Sequence, residues 1–213
     1  MIIDERYTTF INSMDTAHTS FLEELYEKAV DDKVPVIRRE TQSFLKTLLT
    51  LVKPERILEV GTGVGFSAIL MAEYAPVRCD ITTIENYEKR ILQAEKNIDA
   101  SGYSDCIELL KGDAADILPG LNGPYDMIFM DAAKGQYINF LPDIRRLIRK
   151  GGVVVSDNVL QDGNIIESHY IVERRDRTIY KRMREYLYTL KHDSEFSTSI
   201  LPVGDGIALS VKK

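Results

Sequence analysis

A regular alternation of two kinds of segment after residue 54 most limits the folds open to this chain. Short β-branched or apolar runs, such as RILEV (56–60), DITTIE (80–85) and MIFM (127–130), alternate with longer amphipathic runs. Strands that alternate with helices form right-handed βαβ units and a mainly parallel sheet. The runs MIFM and VVVS (153–156) are almost continuously apolar, as in central strands that are buried on both faces. The alternation therefore predicts a doubly wound α/β domain.

The segment before this alternation is predicted to be helical. Apolar residues recur at helical spacing within 4–31 and predict a helix, which Val34-Pro35 interrupts because proline disfavours helix in the residue before it. These apolar residues are Phe21, Leu22, Leu25, Tyr26 and Ala29. A second helix is predicted over 41–51. We expect this helical extension, 1–53, to precede the α/β core, 54–213, within a single domain.

The end of the sequence has a third pattern. The stretch FSTSILPVGDGIALSVKK (196–213) predicts two strands joined through 202–206, which form an antiparallel hairpin at the edge of the sheet. Together with five parallel strands, the hairpin gives a mainly parallel sheet of seven strands. A length of 213 residues suits one large α/β domain of this kind.

Composition excludes several classes of protein. No apolar run approaches the length of a membrane span, and the first fifteen residues lack the apolar core of a signal peptide, so we expect a cytoplasmic protein without a membrane partner. The two cysteines, Cys79 and Cys106, are too few for a disulfide framework. The formal net charge of −6 argues against binding to nucleic acid by global charge alone, although a local basic patch remains open.

Polar residues, most of them acidic, follow every predicted parallel strand. In an open parallel sheet, ligands bind beyond the carboxyl ends of the strands, so residues at these positions are the first candidates for a site. In chain order they are Glu59 and Gly61, then Glu85, then Asp113, then Asp131, and finally Asp157 and Asn158. Solvation alone does not readily explain an acid at or just beyond the end of all five strands.

The turn after the first strand is rich in glycine. Gly61, Gly63 and Gly65 permit a tight strand-to-helix crossing and a close approach of backbone to a ligand, although many such turns serve packing alone. Their spacing is G-x-G-x-G, which differs from the G-x-G-x-x-G fingerprint of dinucleotide sites. Glu59, just before the turn, would repel a pyrophosphate but suits a ligand that carries an amino group and a sulfonium, as S-adenosylmethionine does.

The acids after the second and third strands have two interpretations each. Glu85 can accept both hydroxyl groups of a ribose, which nicotinamide and adenosylmethionine enzymes have in common, or it can cap the next helix. Asp113 can contact an adenine amino group or likewise cap a helix.

The last two parallel strands provide candidate metal ligands. Asp131, Asp157 and Asn158 follow neighbouring strands, so their oxygen atoms can converge, and hard oxygen ligands without sulfur or imidazole suit Mg²⁺ or a related divalent ion. Taken singly, each residue is more simply a turn or a helix cap. Lys134, three residues after Asp131, can take a proton from a hydroxyl group that the metal has acidified.

Five sequence blocks, in order, resemble the cation-dependent O-methyltransferases, the family of catechol and caffeoyl-coenzyme A O-methyltransferases. The blocks are LEVGTGVGFSAI (58–69), TIENYEK (83–89), KGDAADILP (111–119), MDAAKGQY (130–137) and SDNVL (156–160). The resemblance implies a Rossmann-like methyltransferase fold, a homodimer, Asp131, Asp157 and Asn158 as metal ligands, and Lys134 as the general base. It implies an S-adenosylmethionine site formed by Val36, Glu59, Gly61, Gly63, Ser67, Glu85, Asp113, Ala114 and Asp131.

Within that family the chain is most similar to the bacterial branch that methylates 5-hydroxyuridine in tRNA. The similarity lies in the stretch DNVLQDGNI (157–165), in the arginine-rich segment after it, and in the PVGDG ending (202–206). The vicinal oxygens of the modified base can chelate a metal as a catechol does. The cations available for RNA phosphates are Arg174, Arg175, Arg177, Lys181 and Arg182, together with Arg184. A solvated helix face is the competing interpretation of this segment.

Three alternatives remain open at this stage. The first is a small-molecule catechol or phenol O-methyltransferase, and the absence of tryptophan argues weakly against it. The second is a nicotinamide-dependent oxidoreductase, which shares the glycine turn and Glu85 but gives no reason for Asp131 and Asp157 to converge. The third is a non-catalytic RNA-binding module.

Overall fold

The structure is a computed structural model, and it describes residues 3–168 and 172–213. In this part of the chain the strands are β1 (Arg56–Val60), β2 (Asp80–Glu85), β3 (Ile107–Lys111), β4 (Tyr125–Met130), β5 (Ile148–Ser156), β6 (Phe196–Leu201) and β7 (Ile207–Lys212). They form one seven-stranded sheet in the order β3-β2-β1-β4-β5-β7-β6. β1 to β5 pair in parallel, and β7 pairs antiparallel with both β5 and β6. The predicted seven-stranded, mainly parallel sheet with its terminal hairpin is confirmed.

Helices cover both faces of the sheet. They are α1 (Glu5–Ser13), α2 (Ser20–Asp31), α3 (Arg39–Val52), α4 (Phe66–Tyr74), α5 (Glu88–Ser101), α6 (Ala114–Ile117), α7 (Tyr137–Leu147) and α8 (Arg177–His192). Short 3-10 turns lie at Leu118–Gly120, Lys134–Gln136 and Gln161–Ile166. No helix among the described residues has the length and apolarity needed to cross a membrane.

The prediction of one helix within 4–31 was wrong, because the chain breaks between α1 and α2. The break ends where Glu23 accepts a hydrogen bond from the backbone N–H of His18 at 2.8 Å, which draws the chain into a turn before α2 begins. The apolar spacing had been read over Phe21 to Ala29, which belongs to α2 alone. The second helix was correctly placed, and α3 extends it by two residues at its start and one at its end.

The N-terminal helices are part of the main core. Leu22 of α2 and Leu45 and Leu49 of α3 are fully buried, in one cluster with residues of β1 and β4. α4 is enclosed by this layer, and Phe66 to Met71 are all buried, so the amphipathic pattern expected of its sequence is not what the structure shows.

The register of the parallel strands aligns their carboxyl ends. Val60 pairs with both Ile84 and Met130, and Met130 pairs with Ser156. β1, β3, β4 and β5 are each followed by one more ladder-like bond, such as Asp131 N–H to Val60 O at 2.9 Å and Asp157 N–H to Met130 O at 2.9 Å. The chain runs from β1 towards β3 on one side and continues with β4 on the other. The strand ends beside β1 therefore form a topological switch point, where open sheets bind ligands.

Candidate active site

A cavity of about 540 Å³ lies at this switch point, beyond the carboxyl ends of the strands. It gathers eleven of the residues predicted for the site. They are Val36, Gly61, Gly63, Ser67, Glu85, Asp113, Ala114, Asp131, Lys134, Asp157 and Asn158. Residues up to 122 positions apart in sequence, from Val36 to Asn158, thus contribute to one cavity.

The glycine turn brings the end of β1 against the end of β4. Gly61 has φ +103°, and a Cβ atom there would lie 2.2 Å from the backbone oxygen of Asp131, so only glycine allows this approach. Gly65, at φ +87°, is the N-cap of α4. The turn thus places the N-terminus of α4 and the backbone of Asp131 on the same cavity.

Glu85 ties the glycine turn to the end of β2. Its Oε2 accepts the N–H of Gly63 at 2.9 Å, and its Oε1 accepts the N–H groups of Asn86 at 3.0 Å and Tyr87 at 2.9 Å. The carboxylate therefore binds the backbone just before α5 and also lines the cavity. It does not cap α5, whose N-cap residue is Tyr87 and has no side-chain capping bond among the described residues. The contact of Glu85 with a ribose stays a prediction.

Glu59 lies beneath the cavity and is not among the residues that line it. The side chain is fully buried, and its Oε2 accepts a hydrogen bond from the Thr83 hydroxyl at 2.6 Å. Its Oε1 has no hydrogen-bond partner in the described part of the chain. Burial raises the pKa of Glu59 to about 8, although the neighbouring hydroxyl groups of Ser67 and Thr83 act to lower it. From the sequence, Glu59 was predicted to contact a ligand, whereas in the structure it is not among the residues that line the cavity.

Asp113 is both a helix cap and a cavity residue. Its Oδ1 accepts the N–H of Ala115 at 2.9 Å and so begins the short helix α6. Asp113 and Ala114 lie on the cavity wall together with Tyr87, whose side chain is 56% exposed. Tyr87 was not predicted as a cavity residue, although it lies within the TIENYEK block.

Asp157 is a buried carboxylate with one uncommitted oxygen. Its Oδ1 accepts the N–H of Asn158 at 2.8 Å, whereas its Oδ2 is buried without a hydrogen-bond partner among residues 3–168 and 172–213. Burial raises the pKa of Asp157, and the neighbouring Asp131 carboxylate raises it further. Asn158 follows in the left-handed region, at φ +56°. A buried carboxyl oxygen of this kind is stabilised by a proton, a hydrogen-bond donor or a cation.

Asp131 and Lys134 form a loose ion pair on the cavity wall. The Lys134 Nζ lies 3.5 Å from the Asp131 Oδ1, and both side chains are half-buried. Among residues 3–168 and 172–213, no three His, Cys, Asp or Glu side chains come together as a metal site. The predicted metal ligands include only two carboxylates, those of Asp131 and Asp157, because the third ligand is the amide of Asn158.

The basic segment lies on and before α8, outside the cavity wall as far as the chain is described. Arg177 Nε donates to Val172 O at 3.1 Å, and Arg175 pairs with Glu173 at 3.0 Å, so both serve local structure. Arg182 donates to Gly135 O at 3.1 Å and so holds the turn that contains Lys134. Arg184 donates to Ile165 O at 2.8 Å, and the other two predicted cations, Arg174 and Lys181, are exposed.

The fold and the site together define a class of protein. A Rossmann-like sheet in the order β3-β2-β1-β4-β5-β7-β6, with a glycine turn and an acidic strand end beside it, is the architecture of the methyltransferases that use S-adenosylmethionine. A sequence model described as O-methyltransferase matches residues 12–213.

Known proteins agree with this class. The chain is 35% identical over 179 residues to a catechol O-methyltransferase of Niastella koreensis, covering 80% of this chain and 79% of that protein. It is 34% identical over 173 residues to a catechol O-methyltransferase of Mycobacterium tuberculosis, covering 79% and 76%. The crystal structure of an O-methyltransferase from Bacillus cereus in complex with S-adenosylhomocysteine superposes with a TM-score of 0.85, at 25% identity and 96% coverage of both chains.

The chain therefore belongs to the O-methyltransferase family and is an S-adenosylmethionine-dependent enzyme. This assignment favours methyl transfer over the oxidoreductase and the non-catalytic RNA-binding module that the sequence left open.

Proposed function

We propose that this enzyme is divalent-metal-dependent and methylates one of two vicinal oxygens of its substrate. The observation that carries the proposal is the buried, unpartnered Oδ2 of Asp157, which lies on the same cavity as Asp131 and Asn158. Leaving a buried carboxylate oxygen without a partner is costly, so a ligand of positive charge is the simplest completion.

The residues present fit a hard cation. Asp131 and Asp157 would supply carboxylate oxygens and Asn158 an amide oxygen, a donor set suited to Mg²⁺ or Mn²⁺. A cation held by these three residues could also bind two neighbouring oxygens of a substrate. When bound, the cation supplies Lewis acidity to a chelated hydroxyl group, and S-adenosylmethionine supplies an electrophilic methyl group.

Lys134 is the proposed general base. Its amine form would accept the proton of the substrate hydroxyl while that oxygen attacks the methyl carbon of S-adenosylmethionine; the methyl–sulfur bond breaks, and S-adenosylhomocysteine leaves. Asp131, 3.5 Å from the Lys134 Nζ, then stabilises the ammonium that this step produces. Holding donor and acceptor in one cavity supplies much of the remaining acceleration.

The other cavity residues are proposed to bind the cosubstrate. Glu85, held by three backbone N–H groups, can accept the ribose hydroxyls, and Asp113 with Ala114 can flank the adenine. Gly61, Gly63, Ser67 and Val36 form part of the wall, and Asp131 lines the same cavity. Glu59 acts from beneath the cavity, because its buried carboxyl can lose its proton when a cationic amino group binds above it.

For the substrate we propose 5-hydroxyuridine in tRNA, which would become 5-methoxyuridine. Support comes from the exposed cations Arg174 and Lys181 on the segment that also holds the Lys134 turn through Arg182. Cations near the reacting group can bind the phosphates that flank a target base. We place the enzyme in the cytoplasm, as a homodimer.

A small catechol or phenol is the second candidate substrate. The names of the relatives from Niastella koreensis and Mycobacterium tuberculosis favour it, since both are catechol O-methyltransferases. Both candidates present vicinal oxygens, so the chemistry proposed for Asp131, Asp157 and Lys134 serves either one.

Labelled S-adenosylmethionine tests the proposal. The enzyme is incubated with tRNA that carries 5-hydroxyuridine, the same tRNA with unmodified uridine, the free nucleoside and a panel of catechols, each with Mg²⁺ and with EDTA. We expect transfer to the hydroxylated tRNA above all others, and none in EDTA. Full activity in EDTA would contradict the metal, and a wide preference for catechols would assign the enzyme to the second substrate class.

A charge variant separates the two substrates further. Replacing Arg174 and Lys181 with alanine should weaken tRNA methylation and leave catechol methylation unchanged, because both side chains are exposed and outside the described cavity wall. Equal loss on tRNA and catechol would show that the substitutions act on the fold rather than on RNA.

A further inference from the structure

The peptide unit that joins Asp157 to Asn158 links two of the three proposed metal ligands. Its N–H, from Asn158, donates to the Asp157 Oδ1 at 2.8 Å. Its carbonyl, from Asp157, lies 3.2 Å from the Tyr137 hydroxyl and shares the single proton of that hydroxyl with Met130 O. The orientation of this one peptide therefore determines where the free Asp157 Oδ2 and the Asn158 side chain point.

Tyr137 lies at the start of α7 and reaches the ends of two neighbouring strands. Its hydroxyl also contacts Met130 O, the last carbonyl of β4, at 2.9 Å. That carbonyl accepts the N–H of Asp157 as well, at 2.9 Å. The side chain is fully buried, and its ring packs edge-to-face on Tyr186 with the ring centroids 5.5 Å apart. One rigid phenol thus braces the strand end before Asp131 and the peptide after Asp157.

We propose that Tyr137 is a positioning residue for the cation site, whose hydroxyl holds the Asp157–Asn158 peptide in the orientation that leaves Asp157 Oδ2 free to bind the metal. The inference rests on the metal-dependent function proposed above. It adds to that function a residue on a different element, which does not touch substrate or metal.

The backbone conformation that the Tyr137 hydroxyl holds in place is strained. Asn158 lies at φ +56°, a region that costs an L residue free energy relative to the right-handed side. Without the Tyr137 hydroxyl, the Asp157 carbonyl loses a buried donor and the peptide has less reason to keep this orientation. Ligands that must first be ordered bind a metal more weakly than ligands held in place.

The test compares two tyrosine-to-phenylalanine variants in adjacent, fully buried positions. Tyr137→Phe removes the hydroxyl that holds the peptide. Tyr186→Phe is the matched control, since its hydroxyl lies 2.6 Å from the Ser156 Oγ and does not contact the Asp157–Asn158 peptide. Mn²⁺ affinity is measured by electron paramagnetic resonance on the enzyme loaded with S-adenosylhomocysteine, and the affinity for S-adenosylhomocysteine itself is measured by calorimetry.

We expect Tyr137→Phe to bind Mn²⁺ about 10-fold to 100-fold more weakly, the usual effect of removing an outer partner of a metal ligand. Tyr186→Phe should stay close to the wild type in Mn²⁺ affinity, and both variants should keep the wild-type affinity for S-adenosylhomocysteine. Equal weakening in the two variants, or none in Tyr137→Phe, would overturn the assignment.

Failure of the metal proposal gives a different pattern. Wild-type enzyme that binds S-adenosylhomocysteine but no Mn²⁺ would refute the cation site, and with it the role of Tyr137. If Tyr137→Phe does not fold, amide hydrogen exchange of the wild type tests whether the Asp157–Asn158 peptide is held in a fixed orientation. Slow exchange of the Asn158 N–H supports a fixed peptide, and exchange at the rate of an open loop excludes one.

Discussion

The buried carboxyl of Glu59 makes the stability of the ligand-free enzyme depend on pH. Its pKa is about 8 in the folded protein, against an ordinary value of 4.5 in the unfolded chain, because burial disfavours the charged form. The folded state therefore holds the proton more tightly than the unfolded state does. The stability that protonated Glu59 allows is fully present below pH 4.5 and is lost progressively as the pH rises through about 8.

The size of the effect follows from the separation of the two pKa values. Each unit corresponds to about 1.4 kcal/mol, so the loss at pH 8 is on the order of 4 kcal/mol. Glu59→Gln removes the ionisation but keeps a carbonyl oxygen for the Thr83 hydroxyl. We expect the variant to be no more stable than the wild type at pH 5, and clearly more stable at pH 8.

Urea unfolding of the ligand-free protein between pH 5 and pH 8 measures this difference. Asp157, whose pKa is also raised by burial, adds to the pH slope of both proteins, so the comparison of variant with wild type isolates Glu59. Glu24→Gln, an exposed change of the same chemistry on α2, is the control and should track the wild type. A difference between Glu59→Gln and wild type that stays constant over this pH range would refute the reasoning.

Two further predictions concern the cavity wall. Gly61→Ala should abolish methyl transfer and lower the free energy of unfolding by about 2–4 kcal/mol, because of the positive φ and the overlap of the new Cβ with Asp131 O. Labelled methyl transfer and urea unfolding measure the two effects, and wild-type activity in the variant would contradict the close approach. Asp157→Asn should remove detectable Mn²⁺ binding and yet stabilise the ligand-free protein at pH 8, because it removes a buried charge. Lower stability at that pH would show that the carboxylate is compensated.

The sequence was sufficient to predict which strand-end residues share a cavity, for a geometrical reason. Parallel strands place their carboxyl ends at one edge, so an acid after each strand was enough to predict that Asp131, Asp157 and Asn158 lie at the same edge of the sheet, where they line one cavity. The depth of Glu59 could not be predicted in this way. Whether a strand-end side chain faces the cavity or the core beneath it depends on how α4 and Thr83 pack against it.

Two other features depended on contacts that no local pattern contains. The arginines of the α8 segment look alike in sequence, but Arg177 and Arg182 donate to backbone carbonyls that loops bring to them. Tyr137 lies in the MDAAKGQY block (130–137), in which Asp131 and Lys134 were the residues predicted to be functional. Its role as a brace follows only from the positions of Met130 O and Asp157 O.

The terminal hairpin sets the order in which the site can be completed during synthesis. β7 is the neighbour of β5 in the sheet, and the backbone N–H groups of Val159 and Leu160 donate to Gly206 O and Asp205 O. The chain just after Asn158 is therefore held by residues that leave the ribosome some 45 positions later. A nascent chain that already contains Asp131, Lys134 and Asp157 still lacks the support beside them, so the proposed cation site should form only once the hairpin has paired.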